Sequence, residues 1–232
     1  MASTKDASAG PAKRGAFILF EGVDRCGKTT QANLLVESLK QAGHDACFMR
    51  FPDRTTPIGH MINGFLQNTT DIDDRCVHLL FSANRWEAES KIRELLKAGT
   101  TVVCDRYAYS GVAFSASKPG LSVRWCKDPD RGLPAPDKIL FLDISVEDAM
   151  KRGQFGEERY EKEEFQRTVR AAFLALMEED KVCVLCVCIS TVDYSDEPFI
   201  EFFCSHHVLF SWTPHEWAQG VQTRLGLHFV FR

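Results

Sequence analysis

Residues 22–29 read Gly-Val-Asp-Arg-Cys-Gly-Lys-Thr and fit the pattern G-x-x-x-x-G-K-[S/T] at every fixed position. An apolar run at 16–20 predicts a buried strand before this segment, and apolar residues at 34, 35, 36 and 39 predict a helix after it. The two glycines let the backbone turn so that successive N–H groups point inward at an anion. The positive end of the helix and the ammonium of Lys28 add to that field. A strand, this loop and a helix in this order predict a site for a nucleoside triphosphate, in preference to a glycine-rich turn without function.

The residues expected to contact the phosphates lie in the loop and in the first turn of the helix. They are Gly22, Asp24, Arg25, Cys26, Gly27, Lys28, Thr29 and Thr30. In such a loop the lysine and the backbone amides hold the β- and γ-phosphates. The hydroxyl of Thr29 can ligate Mg²⁺, so the loop also predicts a site for this ion.

Strand-like and helical patterns alternate along the rest of the chain. The strand-like runs are 16–20, 46–51, 101–104 and 138–144. Gly43 and Gly99 stand where helices should end, just ahead of the second and third runs. Continuous apolar strands separated by helices predict an α/β fold with a parallel sheet that is covered on both faces. Polar clusters at 22–29, 51–54 and 105–107 follow three of these strands, and we expect them to meet at the ligand-binding edge of the sheet.

The composition limits the class of partner and the compartment. A net charge of −4 gives no support for broad binding to nucleic acid or to an anionic membrane. No apolar run approaches the roughly 20 residues that span a bilayer. Nine scattered cysteines, an odd number, favour reduced thiols over a disulfide framework. We therefore predict a cytoplasmic protein, without excluding a nuclear or mitochondrial pool, with a short disordered leader at 1–14 that is not a targeting signal.

One long helix is predicted from 71 to 98. Asp73 or Asp74 can cap its start, and Gly99 ends it. Phe81 and Arg85 are four residues apart and share a face of this helix. Taken alone, this pair is more typical of a core phenylalanine beside a solvated arginine than of a binding site.

Six segments together carry a more specific signal. They are Phe-Glu-Gly-Val-Asp-Arg-Cys-Gly-Lys-Thr-Thr-Gln at 20–31, Arg-Phe-Pro-Asp-Arg-Thr at 50–55, Leu-Leu-Phe-Ser-Ala-Asn-Arg-Trp-Glu at 79–87, Asp-Arg-Tyr-Ala-Tyr-Ser-Gly-Val-Ala-Phe at 105–114, Gly-Leu-Pro-Ala-Pro-Asp at 132–137 and Lys-Arg-Gly-Gln-Phe-Gly-Glu-Glu-Arg-Tyr-Glu at 151–161. In order and spacing they resemble thymidylate kinase, a nucleoside monophosphate kinase, in its eukaryotic and poxviral branch. The resemblance covers about residues 15–180. It implies a P-loop NTPase fold with a five-stranded parallel sheet and helices on both faces, and transfer of a phosphoryl group from ATP to dTMP.

The resemblance also assigns an acceptor site. The residues it places around dTMP are Asp24, Phe51, Arg54, Phe81, Arg85, Arg106, Ser110, Gly111, Phe114, Tyr160 and Gln166. Phe81 stacks under the thymine ring, and Arg85 donates to a thymine carbonyl; cytosine carries an amino donor at that position and is disfavoured. Arg54 and Arg106 resemble clamps on the monophosphate, which suits the fork of donors on a guanidinium group. Phe114 and Tyr160 resemble the aromatic residues that leave little room for a 2′-hydroxyl.

For the donor side, the resemblance implies that Arg25, Lys28, Asp105 and Arg106 are the catalytic residues. In this resemblance Arg25 is the arginine that stabilises the transition state, and Thr29 and Asp105 hold Mg²⁺ directly or through water. The segment around 151–161 resembles a lid that excludes water, formed by Arg152, Gly153, Gln154, Phe155, Gly156, Glu157, Glu158 and Arg159. A plain solvated helix is the alternative for this charged run. The resemblance further implies a homodimer, with the helix at 73–98 as the candidate interface.

The C-terminal segment at 181–232 departs from the family pattern. Residues 182–189 are a candidate for the fifth strand, and the rest is expected to be irregular. The family's adenine loop and closing helix are not recognisable here, which suggests an alternative C-terminal end such as a splice product. A second interpretation is a zinc site formed by Cys183, Cys186, Cys204 and His206 or His207.

Three other functions stay open on the sequence alone. A related kinase acting on UMP or CMP is opposed by the pair Phe81 and Arg85 and by Phe114. A GTP-driven switch would carry an Asn-Lys-x-Asp motif, which the sequence lacks. A catalytically impaired isoform would bind dTMP or pair with a normal subunit, and the atypical C-terminal segment is the reason to consider it.

Overall fold

A computed structural model of the chain describes residues 14–152 and 156–179, together with the backbone of three short strands, Leu185–Cys186, Ile200–Cys204 and Val208–Trp212. Residues 1–13 of the expected leader lie outside the described residues, and so do Gly153, Gln154 and Phe155 of the expected lid. The side chains expected to hold zinc in the alternative interpretation also lie outside them.

Four parallel strands form the main sheet. They are β1 (Phe17–Glu21), β2 (Ala46–Arg50), β3 (Thr101–Asp105) and β4 (Lys138–Phe141), in the order β2-β3-β1-β4. Asp105 at the end of β3 pairs with Phe20 of β1 and with Arg50 of β2. The carboxyl ends of three strands therefore lie level, and the polar segments that follow them meet at one edge of the sheet, as the sequence predicts.

Eight α-helices and one 3₁₀-helix lie in the described part of the chain. They are α1 (Lys28–Gln41), α2 (Pro57–Leu66), α3 (Asp74–Trp86), α4 (Glu89–Lys97), α5 (Ala108–Ala116), α6 (Val123–Lys127), the 3₁₀-helix (Asp128–Asp130), α7 (Val146–Lys151) and α8 (Glu163–Glu179). Helix α1 packs Leu35 and Leu39 in a cluster with Leu140, whereas α8 packs Phe173 in a second cluster with Phe141. Neighbouring residues of a strand point to opposite faces, so helices cover both faces of the sheet and the predicted fold class is confirmed. Within the described residues, no helix is long and apolar enough to span a membrane.

The predicted helix ends are also confirmed. Gly43 follows α1 with a φ of +83°, and Gly99 follows α4 with a φ of +91°. This left-handed conformation costs little for glycine and ends a helix. Asp73 caps α3, because its carboxylate accepts hydrogen bonds from the N–H groups of Arg75 and Cys76.

The single long helix predicted from 71 to 98 is wrong. The structure has two helices there, α3 and α4, with a break at residues 87–88. At the break, the Glu87 carboxylate accepts hydrogen bonds from the side chains of Thr56 and Asn84, at 2.8 and 2.9 Å. The partner Thr56 lies far away along the chain, so the local pattern, which has no glycine or proline here, could not predict the break.

The fifth strand expected at 182–189 lies mostly outside the described residues. Of residues 182–189, the structure describes only β5 (Leu185–Cys186), which pairs antiparallel with β6 (Ile200–Cys204). Strand β6 pairs in turn with β7 (Val208–Trp212), so a separate three-stranded sheet forms where irregular chain was expected. The runs rich in Phe, Ile and Val after residue 198 have high strand propensity, and they offer β5 antiparallel partners within this segment.

Candidate active site

The loop after β1 has the backbone geometry of a phosphate-binding loop. Gly22 and Gly27 have φ values of +145° and +96°, and a Cβ on Gly22 would lie 2.4 Å from the carbonyl oxygen of Leu142. Only glycine tolerates both the torsion and the close approach. Gly27 precedes α1 and makes no side-chain cap, so the first N–H groups of the helix can bind an anion.

Lys28 is buried beneath the loop. Its Nζ donates to the carbonyl oxygen of Val23 at 2.5 Å and lies 3.3 Å from Sγ of the fully buried Cys26. Lys28 is therefore held under the loop, where its charge can reach a bound phosphate. Thr30, in the first turn of α1, is exposed.

Thr29 and Asp105 bring hard oxygen atoms together at the end of β3. The Thr29 hydroxyl donates to Oδ2 of Asp105 at 2.5 Å. The other oxygen, Oδ1 of Asp105, is buried and has no hydrogen-bond partner in the described residues. Within the same residues no three His, Cys, Asp or Glu side chains cluster as a metal site. One carboxylate and one hydroxyl fit Mg²⁺, which keeps most of its ligands as water and substrate phosphate.

A hydrogen-bonded network joins four residues that the sequence analysis singled out. Arg106 donates to Asp24 at 2.5 Å and to the Ser110 hydroxyl at 3.1 Å. The side-chain amide of Gln166 donates to the second oxygen of Asp24 at 2.6 Å. Burial on its own would lower the pKa of Arg106, but the neighbouring carboxylates, above all Asp24, outweigh it and raise that pKa. The guanidinium is therefore a permanent cation at the edge of the sheet.

Glu21, the last residue of β1, supports this network, and the sequence analysis assigned it no role. Its buried carboxylate accepts from the N–H groups of Tyr107 and Ser110 and from the Ser110 hydroxyl, at 2.9, 3.1 and 2.5 Å. Burial raises the pKa of Glu21, against the effect of these hydrogen bonds and of Arg106. The three bonds pin the turn in which Arg106 has a φ of +67°, a conformation that is unusual for a residue other than glycine.

A second missed residue, Asp130, lies at the base end of the expected acceptor site. Arg85 donates to both of its carboxylate oxygens, from Nε at 3.1 Å and from Nη2 at 2.7 Å. Both side chains are almost fully buried, with 3% and 6% of their surface exposed. Gly111 faces this guanidinium, and Phe81 lies one turn before Arg85 on the same face of α3.

Aromatic rings form a wall beside the network. Phe114 lies 5.6 Å from Tyr160 between ring centroids, and the guanidinium carbon of Arg106 lies 5.2 Å from the Phe114 centroid. Phe51, which the resemblance placed near dTMP, is buried against Tyr107 with 5.5 Å between centroids. The structure thus groups Phe114 and Tyr160 with Arg106, whereas the ring of Phe51 belongs to the core.

The described parts of the expected lid pair with the arginines expected to bind phosphate. Arg54 donates twice to Glu158, at 2.7 and 3.0 Å, and Arg25 donates to Glu161 at 2.8 Å. Arg152 donates to the carbonyl oxygen of Arg25 at 3.2 Å. Both described ends of the lid therefore contact the candidate site.

Three N–H groups of the lid converge on the second oxygen of Glu161. They belong to Gly156, Glu157 and Glu158, and the distances are 3.0, 3.1 and 3.3 Å. Arg159 fastens the same turn to the end of α2, because it donates to the carbonyl oxygen of Phe65 at 2.9 Å and to Asp71 at 2.6 Å. Glu161 and Arg159 thus fix the path of the chain between the lid and α8.

Comparison with known proteins agrees with this arrangement. The family model for thymidylate kinase matches residues 20–192. The thymidylate kinase of Homo sapiens is 54% identical over 168 residues, which cover 72% of this chain and 79% of the human protein. The thymidylate kinase of Danio rerio is 51% identical over 170 residues, which cover 73% and 80%. A solved structure of thymidylate kinase from Candida albicans superposes with a TM-score of 0.69 at 40% identity and covers 77% of this chain and 86% of that one. This chain belongs to the thymidylate kinase family.

Proposed function

We propose that this chain, as a member of that family, transfers the γ-phosphoryl group of ATP to dTMP and forms ADP and dTDP. The observation that carries the proposal is the meeting of two sites at one sheet edge. The phosphate-binding loop lies after β1, and Arg106 of the acceptor network, which follows β3, donates to the carbonyl oxygen of Gly22 in that loop at 3.1 Å. Phosphoryl transfer needs the donor and acceptor to be aligned and the developing charge to be neutralised, and this arrangement can do both.

On the donor side, Lys28 and the loop amides bind the β- and γ-phosphates. Arg25 lies in the loop and reaches toward the lid through Glu161, which suits an arginine that neutralises charge in the transition state. Thr29 and Asp105 would hold Mg²⁺, because the buried oxygen of Asp105 lacks a partner in the described residues. When bound, Mg²⁺ neutralises charge on the phosphates.

On the acceptor side, Arg54 and Arg106 bind the phosphate of dTMP. Asp24 has both oxygens oriented, by Arg106 and by Gln166, so that it can accept from the sugar 3′-hydroxyl. Phe114 and Tyr160 form the wall against which the sugar packs. Carboxylates partner all three phosphate-site arginines, which keeps these buried or half-buried cations neutralised.

At the base, Phe81 stacks on thymine and Arg85 donates to its carbonyl. Arginine has donors but no acceptor, so it cannot satisfy the amino group of cytosine. This argues against the alternative of a CMP kinase. The donor loop and the acceptor network are both formed in the described residues, which supports an active enzyme. The segment at 181–232, the reason to consider an impaired isoform, lies outside the described residues except for the backbone of three short strands.

We further propose a homodimer that works in the cytoplasm. Leu79 and Trp86 are exposed over 48% and 39% of their surface and lie two turns apart on one face of α3, which suits an apolar contact between subunits. The five cysteines among the described residues are free thiols, the state that a reducing compartment maintains. Sedimentation of the full chain at micromolar concentration should give the mass of two chains; a monomer mass would contradict the dimer.

The function is tested by ADP formation with dTMP, dCMP and UMP offered separately to the full chain with Mg²⁺ and ATP. We expect turnover with dTMP and at least about tenfold lower kcat/KM with dCMP, because one mismatched hydrogen bond to a charged group costs about 1.5–3 kcal/mol. We also expect a lower kcat/KM with UMP, because its 2′-hydroxyl would meet the aromatic wall of Phe114 and Tyr160. Lys28→Met, prepared in the same way, controls for contaminating kinases. Equal turnover of dCMP or UMP would contradict the specificity, and no turnover with any acceptor would contradict the activity.

A further inference from the structure

We propose that Asp130 is a positioning residue that sets base selectivity by holding Arg85 in one orientation. The inference rests on the proposed function, because it concerns the arginine assigned to the thymine carbonyl. Asp130 lies in the 3₁₀-helix, 45 residues from Arg85 along the chain, and does not itself belong to any motif that the sequence analysis used.

The pairing occupies one edge of the guanidinium group. Asp130 accepts from Nε and from Nη2 of Arg85, so the two groups lie edge to edge as a fork. The remaining nitrogen, Nη1, donates no hydrogen bond within the described residues. Its N–H groups are therefore the ones left to meet a base.

The carboxylate of Asp130 is itself held in place. The Ser82 hydroxyl donates to its Oδ1 at 2.7 Å, and Ser82 lies one turn before Arg85 on α3. The next residue after Arg85, Trp86, donates through its ring nitrogen to the carbonyl oxygen of Pro129 at 2.8 Å. Two further hydrogen bonds thus join the 3₁₀-helix to α3 on either side of the Arg85–Asp130 pair, and the pair cannot swing as an exposed ion pair can.

Gly111 lies against the other side of the Arg85 guanidinium group. A Cβ at this position would lie 2.6 Å from Nη2 and 3.0 Å from Nη1 of Arg85. A larger residue here would displace the guanidinium from the fork, so the glycine leaves room for the arrangement seen. Arg85 is enclosed between the backbone of α5 and the carboxylate of Asp130.

Selectivity follows from this enclosure. A donor fixed in this orientation can hydrogen-bond to the carbonyl of thymine. With cytosine it would face the amino group, which is also a donor, and no hydrogen bond would compensate for the desolvation of the two groups. A guanidinium free to rotate could turn away from cytosine and would lose its bond to thymine. The orientation that Asp130 imposes therefore creates the discrimination, whereas the charge of Arg85 alone does not.

The test compares Asp130→Asn with Asp128→Asn, an exposed aspartate in the same 3₁₀-helix that pairs with Arg131. The ratio of kcat/KM for dTMP to that for dCMP should fall about tenfold or more in Asp130→Asn, which loses the charge-assisted fork, and should not change in Asp128→Asn. A purely structural role would lower kcat/KM for both substrates by the same factor, so an unchanged ratio in folded Asp130→Asn overturns the proposal.

Two additions separate this result from other failures. Ser82→Ala removes one hydrogen bond to Asp130 and leaves Arg85 paired, so it should lower the same ratio by a smaller factor. If Asp130→Asn does not fold, Ser82→Ala is the deciding variant, and an unchanged ratio in it would overturn the proposal. The ratio of dissociation constants for dTMP and dCMP, measured by calorimetry, should change in the same direction. That binding ratio keeps the proposal testable if the wild-type chain fails to turn over dTMP, which would count against the proposed function alone.

Discussion

Arg106→Ala is expected to lower kcat/KM for dTMP about 10³-fold, since hydrogen bonds to charged groups contribute about 1.5–3 kcal/mol each and at least two are lost. In the structure the guanidinium donates to Asp24, to the carbonyl oxygen of Gly22 and to the Ser110 hydroxyl. The variant would lose the proposed contact with the acceptor phosphate and would also release Asp24 from one of its two partners. Steady-state kinetics with dTMP varied at saturating ATP measures the effect.

Arg106→Lys separates charge from geometry at the same position. Lysine keeps the positive charge but cannot donate as a planar fork, so the loss should be intermediate and should appear in kcat as well as KM. Arg167→Ala is the matched control, because Arg167 pairs with Glu147 and Glu163 on the exposed side of α8. Wild-type kinetics in Arg106→Lys would show that only charge matters, and wild-type kinetics in Arg106→Ala would remove Arg106 from the site.

The central part of the fold could be predicted from the sequence because its signals are local. The phosphate-binding loop is determined by consecutive residues, and the strand runs are apolar because both faces of the sheet are covered. Gly43 and Gly99 end helices through their own torsions. Asp105, Arg106 and the loop could be placed together because the carboxyl ends of parallel strands share one edge.

The supporting contacts could not be predicted, because their partners are distant along the chain. Asp130 lies in a short 3₁₀-helix whose sequence carries no signal for a partner on α3. The sequence shows Glu21 as an acidic residue at the end of an apolar strand. This position predicts a buried carboxylate but does not predict which three groups donate to it. The break between α3 and α4 likewise lies at Glu87, whose hydrogen-bond partner Thr56 is distant along the chain.

Glu161→Gln is expected to lower kcat about 10²-fold, because the side chain would lose charge-assisted hydrogen bonds of about 1.5–3 kcal/mol each. One oxygen of Glu161 accepts from Arg25, and the other accepts from the N–H groups of Gly156, Glu157 and Glu158. Glutamine must turn its amide NH₂ toward one of these donor sets, so either Arg25 or the lid turn loses its acceptor. The carboxylate therefore links Arg25, the proposed transition-state arginine, to the proposed lid, and its loss should loosen both together.

The loosened lid should also admit water to ATP. We expect ADP formation in the absence of dTMP to rise relative to ADP formation in its presence, measured on the same Glu161→Gln preparation. Glu164→Gln, an exposed residue in the first turn of α8, is the matched control and should keep both rates. A wild-type kcat together with a wild-type ratio of the two rates would contradict the link between Arg25 and the lid. A low kcat with an unchanged ratio would assign Glu161 to Arg25 alone, since the lid would then still exclude water without its acceptor.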